Sequence, residues 1–178
     1  MRRDKLIALK YTKYFSKPVV YLSLSNTLRS VQCQLVSGKY VFTDLMIEHQ
    51  LMSPNKYDTR PRIKICDYHE YCAINFLSEQ TIQTEKDVEL AAFYAAALVY
   101  NSFLANPTSI FVIGGTLVEK HRQFFAQTKC QLEAMAGDFN ESFVAGQILV
   151  QASSDASVAG GLVYLEKELN DKYASRQF

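Results

Sequence analysis

The chain has 178 residues, of which 48% are hydrophobic and 21% charged, with a formal net charge of +1. This size and composition are ordinary for one globular domain, and the near-neutral balance argues against a dedicated nucleic-acid surface. The four cysteines are too widely scattered for the disulfide framework of a small secreted domain.

Features of a secreted or membrane-bound chain are also absent from the sequence pattern. A small basic cluster at residues 1–5 is followed by Lys10 and Lys13, which interrupt any apolar core of a signal peptide. The most apolar helical pattern, residues 90–104, is too short and too polar at its ends to span a bilayer. We therefore expect a soluble cytoplasmic protein with no membrane contact and no direct nucleic-acid contact.

The first part of the chain predicts one helix followed by an antiparallel meander. Apolar residues among lysines at 4–15 indicate a short amphipathic helix, which Pro18 ends. Three extended segments follow, and Ser37-Gly38-Lys39 supplies turn chemistry typical of a hairpin. The three predicted strands are residues 19–24, 30–36 and 40–47.

Beyond a loop at 53–62, helices and strands alternate. A helix is expected to start near Ala73, and the longest helical pattern, 87–105, is rich in small residues that favour close helix packing. A buried strand at 109–113 and a helix at 119–132 follow. The remaining predictions are a loop at Gly137-Asp138, a strand at 147–151, an N-cap at 153–155 and a last helix carrying Val158, Leu162, Leu165 and Leu169, in which Gly160-Gly161 permits a close crossing.

The central stretch is the strand at 109–113 with the glycine pair Gly114-Gly115 and the helical segment after it. Strand, glycine pair and helix are the arrangement by which α/β proteins bring backbone amides to a ligand at the carboxyl end of a strand. The alternative is a plain strand-to-helix turn, since glycine pairs also occur wherever the backbone must turn tightly.

In its second half the sequence resembles the C-terminal lobe of the ROK family, which comprises sugar kinases and sugar-responsive repressors with an actin-like ATPase fold. Two stretches carry the resemblance: Asn106-Pro107 followed by residues 109–115, and residues 152–162. In the family these are the strand and glycine turn near the adenosine, and the closing helix. The resemblance implies that Gly114 and Gly115 are nucleotide-binding positions.

The first half resembles the same lobe with its functional residues changed. Residues 18–36 match the family's strand, phosphate-binding glycine turn and second strand, but Ser25-Asn26-Thr27 stands in place of Gly-Thr-Gly. Because several non-glycine residues in a row rarely adopt positive φ, we expect the phosphate turn to be lost and ATP binding to be doubtful. Arg29 could still meet an anion by charge; the alternative is a solvated hairpin end with a surface arginine.

The positions that contact sugar in the family are mostly replaced. His49 matches the histidine of the family's Glu-x-Gly-His segment, which implies a sugar contact there, while Met46 takes the glutamate position. Residues 63–74 lie where the family carries its cysteine-rich zinc and sugar motif, and Ile74 replaces its sugar-binding glutamate.

A zinc site is the cofactor that the same region predicts. His49, Cys66, His69 and Cys72 are a chemically complete set of four ligands, although their spacing is not that of the family. The alternative is two partly buried thiols beside an exposed histidine.

The resemblance implies an α/β fold equivalent to the C-terminal lobe of an actin-like ATPase (ribonuclease H-like), with a mixed sheet, an antiparallel meander and flanking helices. It implies a single lobe over residues 1–178, without the family's N-terminal lobe or the repressors' winged helix. Asp4 is the one candidate for the catalytic aspartate, but its neighbours do not match, so no catalytic residue is assigned.

Two functions follow from these expectations. The first is a non-catalytic ROK-like domain, a sugar-sensing or assembly module related to the transcriptional regulators. The second is the C-terminal half of an ATP-dependent hexose or N-acetylhexosamine kinase that needs another lobe. In either case the exposed cleft side of an isolated lobe predicts a homo-oligomer with a sugar as its ligand.

Overall fold

A five-stranded mixed sheet forms the centre of the molecule in a computed structural model that describes residues 1–60, 71–137 and 145–174. The strand order is β3-β2-β1-β4-β5. The pairs β1–β2 and β2–β3 are antiparallel, whereas β1–β4 and β4–β5 are parallel. Their bounds are β1 Val19–Ser23, β2 Arg29–Val36, β3 Lys39–Asp44, β4 Ile110–Gly114 and β5 Leu149–Gln151. The predicted meander is therefore confirmed.

Helices cover both faces of this sheet. The described helices are α1 Arg3–Phe15, α2 Ala73–Leu77, α3 Glu85–Ala105, α4 Thr116–Lys120, α5 Phe124–Gly137, α6 Ala145–Ile148 and α7 Ala156–Ala174. Alternate residues of β1 enter different cores: Val20 and Leu22 face α2, α3 and α5, whereas Val19 and Tyr21 face α1 and α7. Both faces of β1 are thus buried over residues 19–22, which explains the apolar run there.

The hairpin between β2 and β3 turns on the residues that the sequence indicated. Val36 pairs with Lys39, which leaves a two-residue loop. Ser37 and Gly38 both have positive φ, 49° and 76°, the requirement of a type I′ hairpin turn.

Helix α3 is the centre of the larger core. A capping box between Thr84 and Asp87 fixes its first turn, and ten of its residues are buried. Among the described residues it is also the one helix long and apolar enough to cross a membrane, contrary to our expectation from residues 90–104. Here its apolar surface is used instead for packing against α5 and the sheet.

A buried ion pair ties the loop at 53–60 to α3. The Arg60 guanidinium donates from Nε and Nη2 to the two carboxylate oxygens of Asp58, each at 2.9 Å, and both side chains are at most 4% exposed. Arg60 also lies over the Tyr94 ring, 5.7 Å from its centroid, and the Asn55 amide donates to the Tyr94 hydroxyl at 2.7 Å. We call this group the loop lock.

Two expectations about the later elements are wrong. The helix predicted at 119–132 is in fact two helices, α4 and α5, separated by residues 121–123. Phe124, the first residue of α5, is fully buried. Only residues 149–151 of the predicted strand at 147–151 are extended, because the chain is helical up to Ile148. Asp138, in the predicted loop, lies outside the described residues.

The close crossing predicted for the last helix is made by one glycine of the pair. A Cβ on Gly160 would lie 1.9 Å from the carbonyl oxygen of Leu6 in α1, whereas a Cβ on Gly161 would meet nothing within 4 Å. Gly160 therefore allows α7 to contact the backbone of α1 directly.

Candidate functional site

An open cleft lies where β1 and β4 end and α1 begins. It has a volume of about 320 Å³, and we call it the arginine cleft. Its lining residues are Arg2, Arg3, Asp4, Tyr21, Ser23, Thr27, Arg29 and Gly115. The carboxyl ends of neighbouring parallel strands are where open α/β sheets bind ligands, so topology and cavity agree on this location.

The close packing of the turn beside this cleft requires both residues of the glycine pair. Gly115 has φ of 102°, and a Cβ there would lie 2.4 Å from the carbonyl oxygen of Leu24. That oxygen accepts a hydrogen bond from the Leu117 amide at 3.1 Å, and the Leu24 amide donates to the Gly114 carbonyl oxygen at 2.7 Å. A Cβ on Gly114 would come within 3.0 Å of the Tyr21 hydroxyl. Both glycines are thus required for the turn itself, and Gly115 alone lines the cleft.

The turn at Ser25-Asn26-Thr27 does not adopt the left-handed backbone of a glycine phosphate loop. None of these three residues has positive φ, and the Ser25 hydroxyl donates to the Thr27 carbonyl at 2.9 Å. The turn is closed by its own side chain, and of the three residues only Thr27 reaches the cleft.

Asp4 lies in the first turn of α1 and is held there by neighbours. Its Oδ1 accepts the Lys5 amide at 2.9 Å and Arg2 Nε at 3.2 Å, and its side chain is 8% exposed. Arg2 Nη2 lies 3.1 Å from the second carboxylate oxygen and donates to Asp44 at 2.5 Å. The Asp44 hydrogen bond raises the pKa of Arg2 despite partial desolvation, so the clamp on Asp4 is a permanent cation.

Two further arginines give the cleft its positive character. Arg3 begins α1 and Arg29 begins β2; both side chains are exposed, and neither takes part in an ion pair among the described residues. The N-terminal amides of α1 add the positive end of a 13-residue helix to the same cavity. Tyr21 and Ser23 supply polar groups beside them, and burial raises the pKa of the Tyr21 phenol although its hydrogen bond to Ser23 opposes this.

The segments that carry His49 and Cys72 are backbone neighbours in a different part of the molecule. His49 ends a 3-10 turn, Ile47–His49, and the Ala73 amide donates to the Gln50 carbonyl at 2.9 Å. The residues that follow His49 and Cys72 are therefore hydrogen-bonded neighbours. His49 is exposed, whereas Cys72 is buried at the start of α2.

The other metal and sugar positions are only partly described. Cys66 and His69 lie outside the described residues, and within 1–60, 71–137 and 145–174 no three histidine, cysteine or acidic side chains are grouped for a metal ion. Ile74 is a core residue, 5% exposed, so it faces no ligand. Met46 is exposed in a left-handed conformation at the start of the 3-10 turn.

Sequence reasoning named Asp4, Gly115 and Arg29 but did not bring them together with Arg2 and Arg3. The two arginines were visible as part of a short basic cluster. Arg2 and Arg3 lie at the start of the helix that precedes β1, the strand that ends in Ser23. This position is the signal that could have placed them at the cleft.

Comparison with known proteins finds similarity in structure alone. No family model matches the sequence, and no curated protein matches it. The ROK hexokinase from Thermus thermophilus superposes with a TM-score of 0.67 over 94% of this chain at 14% identity. A ROK family protein from Streptococcus pneumoniae, solved in complex with sucrose, superposes with a TM-score of 0.63 over 95% of this chain at 11% identity.

The chain spans 65% of the length of each of these two structures, slightly less than two thirds. The molecule thus has the α/β fold of the ROK sugar kinases, an actin-like ATPase fold, which confirms the fold class expected from the sequence.

Proposed function

We propose that this chain is a non-catalytic ROK-like lobe that senses a phosphorylated sugar in the arginine cleft, as a module related to the ROK transcriptional regulators. The observation that carries the proposal is the pairing pattern of the cleft. Arg3 and Arg29 have no acidic partner among the described residues, whereas the carboxylate of Asp4 is already engaged by Arg2.

The engagement of Asp4 is unfavourable for catalysis. A general base must present a free lone pair within hydrogen-bond reach of the proton that it abstracts. Here Oδ1 accepts two hydrogen bonds, whereas the buried Oδ2 has no hydrogen-bond partner among the described residues and lies 3.1 Å from Arg2 Nη2. A substrate proton would reach Oδ2 only if Arg2, which also donates to Asp44, moved aside.

The same cleft suits an anionic ligand. A guanidinium presents a planar fork of donors that matches two phosphate oxygens, and a helix N-terminus adds to the attraction. Ser23 and Thr27 hydroxyls border the cavity and can bond sugar hydroxyls. The volume of about 320 Å³ lies at the lower end of ordinary ligand pockets, which fits one monosaccharide phosphate. That a structural neighbour holds sucrose supports a sugar as the ligand class.

Calorimetry with glucose 6-phosphate, glucose, inorganic phosphate and ATP tests the proposal. We expect the sugar phosphate to bind more tightly than either glucose or phosphate, and Arg29→Gln to weaken it at least about tenfold, the equivalent of 1.4 kcal/mol. Arg122→Gln, at an exposed position between α4 and α5, is the matched control and should leave binding unchanged. Equal affinity of the Arg29 variant, or no binding of any phosphate ester at millimolar concentration, would refute the cleft as an anion site.

A second candidate is the C-terminal half of an ATP-dependent sugar kinase. The observation that favours it is the presence of Asp4 and Gly115 in one cleft of a chain that spans 65% of a ROK hexokinase. A coupled assay of ATP turnover over hexoses and N-acetylhexosamines separates the two functions. Turnover that survives purification and disappears in Asp4→Asn would establish the kinase and exclude the non-catalytic lobe.

Zinc bound by His49, Cys66, His69 and Cys72 is a separate proposal. The proximity of the His49 and Cys72 segments supports it, since the antiparallel bridge between Leu51 and Cys72 brings their backbones together. Elemental analysis of protein purified without chelators should give roughly one zinc per chain, and Cys72→Ser should lower this content. Metal-free protein whose melting temperature does not respond to added zinc would exclude the site.

A further inference from the structure

Strand β3 forms one edge of the sheet, because β2 is its only neighbouring strand in the described part of the chain. Its pairing with β2 runs without a bulge over six residue pairs, from Val36–Lys39 to Val31–Asp44. Four of its six residues are exposed, and no proline interrupts it. The strand therefore lacks the bulge and the proline that commonly protect a sheet edge.

The pairing shows which backbone groups of β3 face outward. The pair that closes a two-residue hairpin is hydrogen-bonded, and bonded and non-bonded pairs then alternate. The Leu45 amide donates to the Ser30 carbonyl oxygen at 3.4 Å, which agrees with this alternation. Lys39 and every second residue after it thus bond to β2, whereas the backbone N–H and C=O groups of Tyr40 and Phe42 point away from it. The residues that the structure describes supply no hydrogen-bond partner for these outward groups.

Lysine side chains line the same edge. Lys5 of α1 lies over the Phe42 ring, with Nζ 5.7 Å from its centroid, and Lys167 of α7 lies over the Tyr40 ring at 5.0 Å. Neither lysine forms an ion pair with any described acidic residue. The exposed Lys39 adds a third ammonium at the hairpin end of the strand. The edge is therefore positively charged.

A groove beside this edge leaves room for the side chains of an added strand. It has a volume of about 400 Å³ and lies between the β2–β3 hairpin and α7. Its lining includes Leu35 and Tyr40 from the hairpin and Val163 and Lys167 from α7. Leu35 is 58% exposed, so both apolar surface and an ammonium group are accessible there.

We propose that the free edge of β3 binds an extended acidic peptide segment of another protein, which adds to the sheet as a strand antiparallel to β3. Backbone hydrogen bonds to Tyr40 and Phe42 supply the affinity, and alternate side chains supply the specificity. Peptide side chains on the face of α1 and α7 meet Lys5 and Lys167 and are therefore acidic. Those on the opposite face lie beside the exposed Val41 and suit valine or threonine, since β-branched residues pack well across strands.

Charge favours an acidic peptide over a second copy of this chain as the occupant. A second β3 would bring its own Lys5 and Lys167 to the same edge, so like charges would face each other. The one acidic residue of β3, Asp44, already accepts a hydrogen bond from Arg2 at 2.5 Å and therefore offsets little of this repulsion.

Fluorescence anisotropy with labelled synthetic peptides tests the proposal. The probe is an end-blocked peptide of seven residues in which glutamate alternates with valine, and its control has lysine in place of each glutamate. We expect the acidic peptide to bind saturably and the basic peptide to bind at least about tenfold more weakly. Equal binding of the two peptides, or no saturable binding of the acidic one up to 1 mM, would overturn the proposal.

Charge variants of the protein test the location. Lys5→Gln with Lys167→Gln should weaken binding of the acidic peptide at least about tenfold. Lys56→Gln with Lys86→Gln removes the same charge from exposed positions on the α3 side of the sheet and should leave binding unchanged. Circular dichroism checks that both variants keep the wild-type fold. Unchanged binding in the Lys5 and Lys167 variant would place the peptide elsewhere and refute the edge of β3 as its site.

Methylation of the peptide backbone tests strand addition itself. In antiparallel pairing the glutamates lie opposite Tyr40 and Phe42 and direct their amides toward β3, whereas the valine amides point to solvent. Methylating the glutamate amides should abolish binding, and methylating the valine amides should leave it unchanged. Binding that survives the first change, or is lost on the second, would reject antiparallel addition to β3. None of these outcomes depends on ligand binding in the arginine cleft.

Discussion

Replacing Arg60 by Met removes the cation of the loop lock while keeping a long apolar side chain over Tyr94. The change leaves the Asp58 carboxylate, whose side chain is 0% exposed, without its bidentate partner. Removing one member of a buried ion pair typically costs about 3–5 kcal/mol, chiefly because the remaining charge is buried without compensation. We therefore expect a loss of about 3–5 kcal/mol in the free energy of unfolding, or about 6–20 °C in Tm for a chain of this size.

Urea unfolding followed by circular dichroism measures this loss. The double variant Asp58→Asn with Arg60→Met should recover a substantial part of it, since no buried charge remains. Lys13→Met, which breaks the exposed ion pair with Glu166, is the control and should cost less than about 1 kcal/mol. A loss below about 1 kcal/mol in Arg60→Met would show that the loop lock contributes no stability.

The loop lock also predicts a pH dependence. Burial alone would raise the pKa of Asp58, but hydrogen bonds from the Arg60 side chain and amide, together with its charge, lower that pKa far below its usual range. The folded state thus binds this proton less readily than the unfolded state. The stabilisation that ionised Asp58 gives the folded state is complete above the pKa of an aspartate in the unfolded chain, about 3.9. It is lost as the pH falls from there toward the lower pKa of the folded state. Arg60→Met should flatten the stability profile between about pH 4 and pH 2; an unchanged slope would contradict the assignment.

Two other predictions concern α7 and the cysteines. Gly160→Ala should destabilise the fold, because its Cβ would lie 1.9 Å from the Leu6 carbonyl oxygen. Gly161→Ala should instead stabilise it by about 0.5–1 kcal/mol, since a Cβ there meets nothing within 4 Å. Chemical denaturation that finds the Gly160 variant more stable than the Gly161 variant would contradict this. At pH 7.5 a thiol reagent should label exposed Cys130 rapidly and Cys33 slowly, because burial raises the pKa of the Cys33 thiol. Equal labelling rates of the two cysteines, measured by mass spectrometry, would contradict this prediction.

The sequence predicts the sheet well because local signals define it. Residues 19–22 form an uninterrupted apolar run, and Ser37-Gly38 can adopt the two positive φ values of its hairpin. The division between α4 and α5 was not predictable, since it depends on where Phe124 is buried in the assembled core. A helical pattern also does not reveal which face is covered: Leu162 and Leu165 have core-like spacing but are exposed.

The candidate site was predictable only in part, for a similar reason. Gly115 and Arg29 were visible as a turn residue and a lone cation, each with an ordinary structural explanation. Their meeting with Arg3 depends on the parallel pairing of β1 with β4 and on the approach of α1 to the same edge. Such long-range pairing cannot be read from spacing along the chain.

The contact between α1 and α7 affects the order in which the protein can assemble on the ribosome. Lys13 and Glu166, which pair across these helices, are 153 residues apart, so about 8–30 s of synthesis separate them at ordinary elongation rates. Among the described residues, the larger core contains none beyond Leu149, whereas the smaller core is completed by Ala156, Val163 and Tyr164. During translation the α3 side of the sheet can therefore close first, while the side bearing α1 remains open to chaperones and proteases until α7 emerges.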